Sequence, residues 1–134
     1  MEELSNKFEL YVPEHPGYGQ SDTPEWLDKM EDLGYFYLEL IEHFKMQDIH
    51  LVGSSIGGWI AAEMCIRNTN KIKSLVLAAP AGLSLQRQYG LDPFISTDDE
   101  FTRNAFYDQK LAEGMINQEV DEAAMDLILK NKTT

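Results

Sequence analysis

Bases are scarce in this chain: 11 lysines and arginines stand against 23 aspartates and glutamates, a formal charge of −12. A surface that negative repels phosphate backbones and anionic headgroups, so neither nucleic acid nor a membrane surface is expected as a partner. Cysteine is scarcer still, since the lone Cys65 can form no internal disulfide. A reducing, cytoplasmic setting is the simplest expectation, and no Cys/His cluster has the spacing of a metal site. Long apolar runs are missing too. Residues 1–9 mix charge with polarity and lack a signal-peptide core, and no later run is long enough to span a bilayer. Nor is there a G-x-x-x-x-G-K-[ST] phosphate loop, and neither "GSSIGG" nor "GYGQSD" satisfies G-x-G-x-x-G. No cofactor and no metal is expected.

What is present is a chain of 134 residues with 43% hydrophobic content, the composition of one globular domain or a piece of a larger one. Phe8 to Val12 ("FELYV") is a β-rich run ending at Pro13, and "PEHPGYGQSDTP" follows as an ordered loop dense in proline and glycine. From Leu33 the apolar residues Leu33, Phe36, Tyr37, Leu40, Ile41 and Phe44 fall at the spacing of an amphipathic helix. Ile49 to Val52 reads as a second strand, Ile56 to about Arg67 as a second helix, and Ile72 to Ala79 as a third strand. The order β, α, β, α, β with nearly continuous apolar strands predicts an α/β fold: a parallel sheet with helices on both faces. Residues 92–134 change character, holding ten acids and four bases. Thr97 with Glu100 predicts a capping box for a helix near 98–106, and Glu119 to Lys130 reads as another helix. The boundary is drawn near residue 90, giving a sheet-forming portion over 1–90 and a helical one over 91–134.

The turn between the second strand and the second helix carries the chemistry. Gly53-Ser54-Ser55-Ile56-Gly57 matches G-x-S-x-G in the strand-to-helix context which that motif requires. The register selects Ser55, because an elbow centred on Ser54 would put Val52 and Ile56 at the glycine positions. Gly53 and Gly57 let neighbouring backbone pass close by, and Gly58 adds a small residue where the helix must approach the sheet. Such a turn lifts the serine oxygen above the carboxyl edge of the sheet and aims the helix start at it, so the Ile56 N–H is placed to hold a developing oxyanion. The same glycine-rich turn also occurs as plain packing; the strand-turn-helix context is what favours a nucleophile. Ser54 and His15 are further candidates to line a pocket, His15 with plain loop packing as its rival. His43 on a helix and His50 in a strand read as structural, and Asp98, Asp99 and Asp108 as helix-start charges or a solvated face.

Three blocks, "YVPEHPGYGQSDTP", "IHLVGSSIGGWIAAE" and "IKSLVLAAPAGL", resemble the α/β-hydrolase superfamily in its serine esterase, haloperoxidase and carbon-carbon bond hydrolase group. The first block resembles the family's P-D-x-P-G-x-G-x-S loop, with Pro13, Pro16, Gly17, Gly19 and Ser21 matching and Glu14 where aspartate is usual. Together the blocks cover Phe8 to Leu83, and the remainder resembles the start of the helical cap that many members insert there. The resemblance implies a Ser-His-Asp mechanism in which acid and base follow the serine in the chain, and a second oxyanion donor from an upstream H-G type loop. All three histidines, His15, His43 and His50, precede Ser55. The chain therefore reads as the middle of a longer protein and is expected to be inactive alone, since an unassisted serine hydroxyl is a weak nucleophile.

The expected activity is hydrolysis of an ester, thioester, amide or activated carbon-carbon bond through an acyl-enzyme on Ser55. Epoxide hydrolysis and dehalogenation are disfavoured, because relatives with those activities carry aspartate at the elbow. Tyr89, Phe94, Phe101, Phe106 and Tyr107 in the cap-like portion suggest an apolar cavity for a small ester or acyl substrate, with plain core packing as the commoner role of aromatics in a helical region. The rival reading is a non-catalytic relative that binds a ligand or partner in the same cleft, or an inactive truncated fragment.

Overall fold

A computed structural model of the chain describes residues 2–83, 96–118 and 126. They belong to two compact units, one built from residues up to Leu83 and one from the segment after it.

The first unit opens with a single helical turn, α1 (Glu2–Ser5). Phe8 to Val12 then runs without forming a strand, which corrects the expectation from its β-rich composition. A strand needs a neighbouring backbone to pair with. The one two-stranded sheet among the described residues pairs other segments, and Tyr11 and Val12 stay exposed. The Phe8 ring meets that sheet, edge-on to His50 with centroids 5.5 Å apart.

Helix α2 spans Met30–His43. Its start is capped by the Asp32 carboxylate, which accepts the backbone N–H groups of Asp28 (3.1 Å) and Lys29 (2.9 Å), satisfying donors that a helix start leaves open. Its end is a Schellman turn: the N–H of Met46 donates to Ile41 O and that of Lys45 to Glu42 O, both at 3.0 Å. Lys45 takes φ 53° there, a place glycine usually fills.

Strand β1 (Ile49–Ser54), helix α3 (Ile56–Arg67) and strand β2 (Ile72–Ala78) form a βαβ unit. The strands pair in parallel, with Leu51 opposite Leu75, Gly53 opposite Leu77 and Ser54 opposite Ala78, after a register shift between Ile49 and His50. The core is the seam between the helices. Leu33, Tyr37 and Ile41 of α2 pack with Ile60 and Met64 of α3, and Ile49 and Leu51 of β1 close it from below. Burying each such side chain contributes about 2 kcal/mol. Gly34 makes the close crossing possible, since a Cβ there would lie 3.1 Å from Glu63 Cβ. Glu63 accepts the Trp59 indole N–H (3.1 Å) and pairs with Arg67, whose guanidinium lies 4.8 Å from the centre of the Tyr35 ring.

The alternation along β1 turns Ile49, Leu51 and Gly53 to the helices and leaves His50, Val52 and Ser54 exposed. On the exposed face Val52 stands opposite Val76, 65% and 51% exposed. The sheet is parallel as expected, but among the described residues helices cover one of its faces. The physical reason is connectivity: one β-α-β crossover brings one helix to the sheet, and α2 packs against that helix.

The second unit, over its described residues, is a helical hairpin of α4 (Asp98–Ala105) and α5 (Gln109–Ile116). The Thr97–Glu100 capping box forms as expected, with Glu100 N–H donating to Thr97 Oγ1 at 3.2 Å and Thr97 N–H to Glu100 Oε2 at 3.0 Å. Asp108 caps α5 by accepting the Lys110 N–H at 2.9 Å. Arg103 ties the helices together through Glu113 at 2.7 Å, and Ala112 of α5 is fully buried. Asp108 is thus a helix-start charge, one of the two roles expected of it, although the sequence reading drew no helix after it. The expected helix over Glu119–Lys130 lies outside the described residues but for position 126, as do Tyr89 and Phe94. Of the remaining aromatics, Phe106 is half-buried, while Phe101 and above all Tyr107 are exposed. No helix of the described residues is long and apolar enough to cross a membrane.

Candidate active site

Ser55 stands alone between the last residue of β1 and the first of α3, with φ 51° and ψ −120°. A side chain bearing a Cβ rarely adopts that conformation, and it persists only where its surroundings over-determine it. Here they do. The Ser55 N–H donates to Ala78 O of β2 (3.1 Å), and its carbonyl accepts from Gly58 (3.0 Å), Trp59 (3.2 Å) and Ala81 (2.9 Å). Serine at a helix N-cap usually folds its hydroxyl back onto the second or third N–H of the helix. Ser55 makes no such bond, and the residue is exposed. The open N–H groups of the first turn, Ile56 first among them, begin immediately after it.

The glycines divide by role. A Cβ on Gly53 would lie 2.3 Å from Gly57 O, and one on Gly58 would lie 2.7 Å from Pro80 Cβ, so both positions are closed to any larger residue. Gly57 differs: the one neighbour that its Cβ would meet is His15 Nε2, at 4.0 Å. Gly57 therefore contributes its carbonyl to the contact with Gly53 and leaves room on its other side. Residues after β2 also hold the turn, which the sequence reading missed. Pro80 packs on Gly58, Ala81 bonds the Ser55 carbonyl, and Gly82 (φ 74°) passes so close to the Trp59 ring that no Cβ would fit. The small residues of "APAG" were the available signal.

His15 lies in a loop shaped by its own glycines, with φ 85° at Gly17 and 55° at Gly19. The Glu14 carboxylate closes this loop by accepting the Gln20 N–H at 2.9 Å, a job the longer acid performs without difficulty. His15 Nδ1 is hydrogen-bonded to Tyr37 Oη at 2.6 Å. Burial pushes the imidazole below its ordinary value and the Tyr37 phenol up to about 12, because both charged forms lose water. Tyr37 had been read only as part of a helical apolar face. Ser54, the end residue of β1, is on the side of the sheet away from the helices with Val52.

Among the described residues, neither His15, His43 nor His50 hydrogen-bonds Ser55. His50 Nδ1 pairs across the sheet with Ser74 Oγ at 2.7 Å, and His43 stacks edge-on against Phe44. No group of three or more histidine, cysteine or acidic side chains among the described residues is placed to hold a metal ion. Cys65 is half-buried on α3, and burial raises its thiol, so it is a poor thiolate.

In the comparison with known proteins, a profile of the alpha/beta hydrolase fold matches residues 1–121. The chain belongs to the alpha/beta hydrolase family. Similar curated members of the family include the 2-hydroxymuconate semialdehyde hydrolase of Pseudomonas sp. (strain CF600), 30% identical over 93 residues that cover 69% of this chain and 33% of that protein. The 2-hydroxy-6-oxo-2,4-heptadienoate hydrolase of Pseudomonas putida is 27% identical over 93 residues, 69% of this chain and 34% of that one. A probable 1-acylglycerol-3-phosphate O-acyltransferase of Oryza sativa subsp. japonica is 24% identical over 91 residues, 64% of this chain and 22% of that one. The chain thus spans about a third or less of the length of these relatives. No solved structure matches this alpha/beta hydrolase chain significantly.

Proposed function

We propose that these residues are the elbow-bearing part of a serine hydrolase that cleaves an ester or related acyl bond through an acyl-enzyme on Ser55. The observation that carries the reading is the Ser55 backbone, held at φ 51° at a helix start with a hydroxyl that does not cap the helix. Ser55 Oγ adds to the acyl carbon as its proton passes to a base, and the Ile56 N–H holds the oxyanion. The leaving group departs with that proton, and water then cleaves the acyl-enzyme. In this reading the histidine base, its acid and the second oxyanion donor come from the remainder of a longer protein, residues 91–134 belong to the start of a helical cap region, and the substrate is an apolar ester or acyl compound. Two relatives are hydrolases by name, which supports water as the acceptor. One is named a probable acyltransferase, a name that would put an acceptor other than water in the second step. The single cysteine accords with a cytoplasmic protein.

The test is turnover of a p-nitrophenyl ester by the full-length product of the coding sequence. We expect turnover well above buffer, abolished by Ser55→Ala, and negligible turnover by residues 1–134 alone. A full-length product without turnover would leave the rival reading, a ligand- or partner-binding relative. Turnover by residues 1–134 that Ser55→Ala abolishes would show that one of the present histidines serves as base.

A further inference from the structure

The reaction as proposed leaves the His15–Tyr37 pair without a part. Tyr37 is buried in the seam between α2 and α3, 8% exposed, among Leu33, Ile41, Ile60 and Met64. Its hydroxyl oxygen lies 2.6 Å from His15 Nδ1, and a buried phenol that found no acceptor for its proton would be costly, which favours the arrangement in which Nδ1 accepts. A neutral imidazole that accepts at Nδ1 carries its own proton at Nε2. The rings of Tyr18 and Tyr37 stand edge-on to the imidazole, with centroids 5.9 and 5.6 Å away, and fix its plane. In that plane Nε2 faces the first turn of α3, over the side of Gly57 that has no other neighbour within 4 Å. That turn begins at Ser55.

We propose that His15 is a substrate-contacting residue of the same site, donating from Nε2–H to an oxygen acceptor on the acyl group beside the bond that is cut, with Tyr37 as the positioning residue that sets the tautomer. The inference rests on the reading of Ser55 as the nucleophile. It adds a substrate class: acyl groups with a keto or similar oxygen a few atoms from the scissile carbonyl, rather than plain alkanoyl groups. No proton is transferred by His15 in this role, and Glu14, Tyr18 and Gln20 shape the loop around it without entering the contact.

A matched pair of esters tests it on the full-length product: p-nitrophenyl 4-oxopentanoate against p-nitrophenyl pentanoate. We expect the wild type to prefer the keto ester by about fivefold in kcat/KM, the size of one neutral hydrogen bond, carried by KM. His15→Ala brings the ratio to about one, and its cooperative urea transition shows that the fold is intact. His15→Gln, which offers an amide N–H, keeps at least half of the preference, and Tyr37→Phe, which no longer sets the tautomer, lowers it. Equal rates for the two esters in the wild type, or a preference unchanged in His15→Ala, overturns the inference and leaves Ser55 standing. No turnover of either ester, or turnover that survives Ser55→Ala, overturns the reading of Ser55 and the inference with it.

Discussion

The two faces of the β1–β2 sheet obey different rules. Towards α3, Gly53 admits no Cβ, Leu51 and Ile49 close a seam of buried side chains, and Gly58 meets Pro80. On the other face His50 pairs with Ser74, and Val52 and Val76 lie exposed. One face is over-determined and the other tolerant. The lesson is that the strained serine is held by the packing of one β-α-β segment together with Pro80, Ala81 and Gly82 just beyond β2.

Substitutions on the two faces sharpen the contrast. The largest effect is expected for Gly53→Ala, whose Cβ would sit 2.3 Å from Gly57 O: a loss of at least about 4 kcal/mol, or no cooperative urea transition at all. Ile60→Ala, deep in the helical seam, should cost about 3 kcal/mol. Val52→Thr, one residue from Gly53 but on the open face, should cost less than about 1 kcal/mol. A Val52→Thr loss equal to that of Ile60→Ala would show that the open face is covered in solution.

The pair joining the loop to the seam gives a pH signature. Tyr37 is raised from 10.0 to about 12, so folding favours the neutral phenol. Its contribution is present below pH 10 and is lost as pH rises from there through about 12, to at most about 3 kcal/mol. The wild-type urea midpoint should fall between pH 9 and 11 by more than that of Tyr37→Phe. His15 is lowered from 6.5, so its contribution is whole above that value and is lost as pH falls below it towards the folded-state value. Parallel midpoints for wild type and His15→Gln between pH 7 and 5 would contradict this.

The smallest effect is expected at Lys45, whose φ of 53° suits glycine. Lys45→Gly should stabilise the chain by up to about 1 kcal/mol in urea denaturation; destabilisation would mean that the lysine side chain does more than fill the turn.

Much of the first unit was legible because its signals are local. The period of Leu33, Tyr37 and Ile41 marks a helix face, and G-x-S-x-G marks a turn whose first glycine, Gly53, is required by Gly57 and Gly58 four and five residues away. The Thr97–Glu100 box is equally local. What stayed unread depends on distant partners. His15 and Tyr37 are 22 residues apart, and no spacing rule brings a loop histidine to a helix tyrosine. Ala81 bonds the Ser55 carbonyl from the far side of a crossover. Phe8 to Val12 has the composition of a strand, but composition does not supply the neighbouring backbone that makes one. Continuous apolar strands read as covered twice, whereas the described helices reach one face.

The central claim, that the elbow presents Ser55 as a nucleophile, is tested most directly by mapping a fluorophosphonate adduct on the full-length product. The account expects one adduct in the tryptic peptide spanning residues 46–67, located on Ser55 and lost in Ser55→Ala. An adduct on Ser54, labelling that survives Ser55→Ala, or no labelling at all would contradict it.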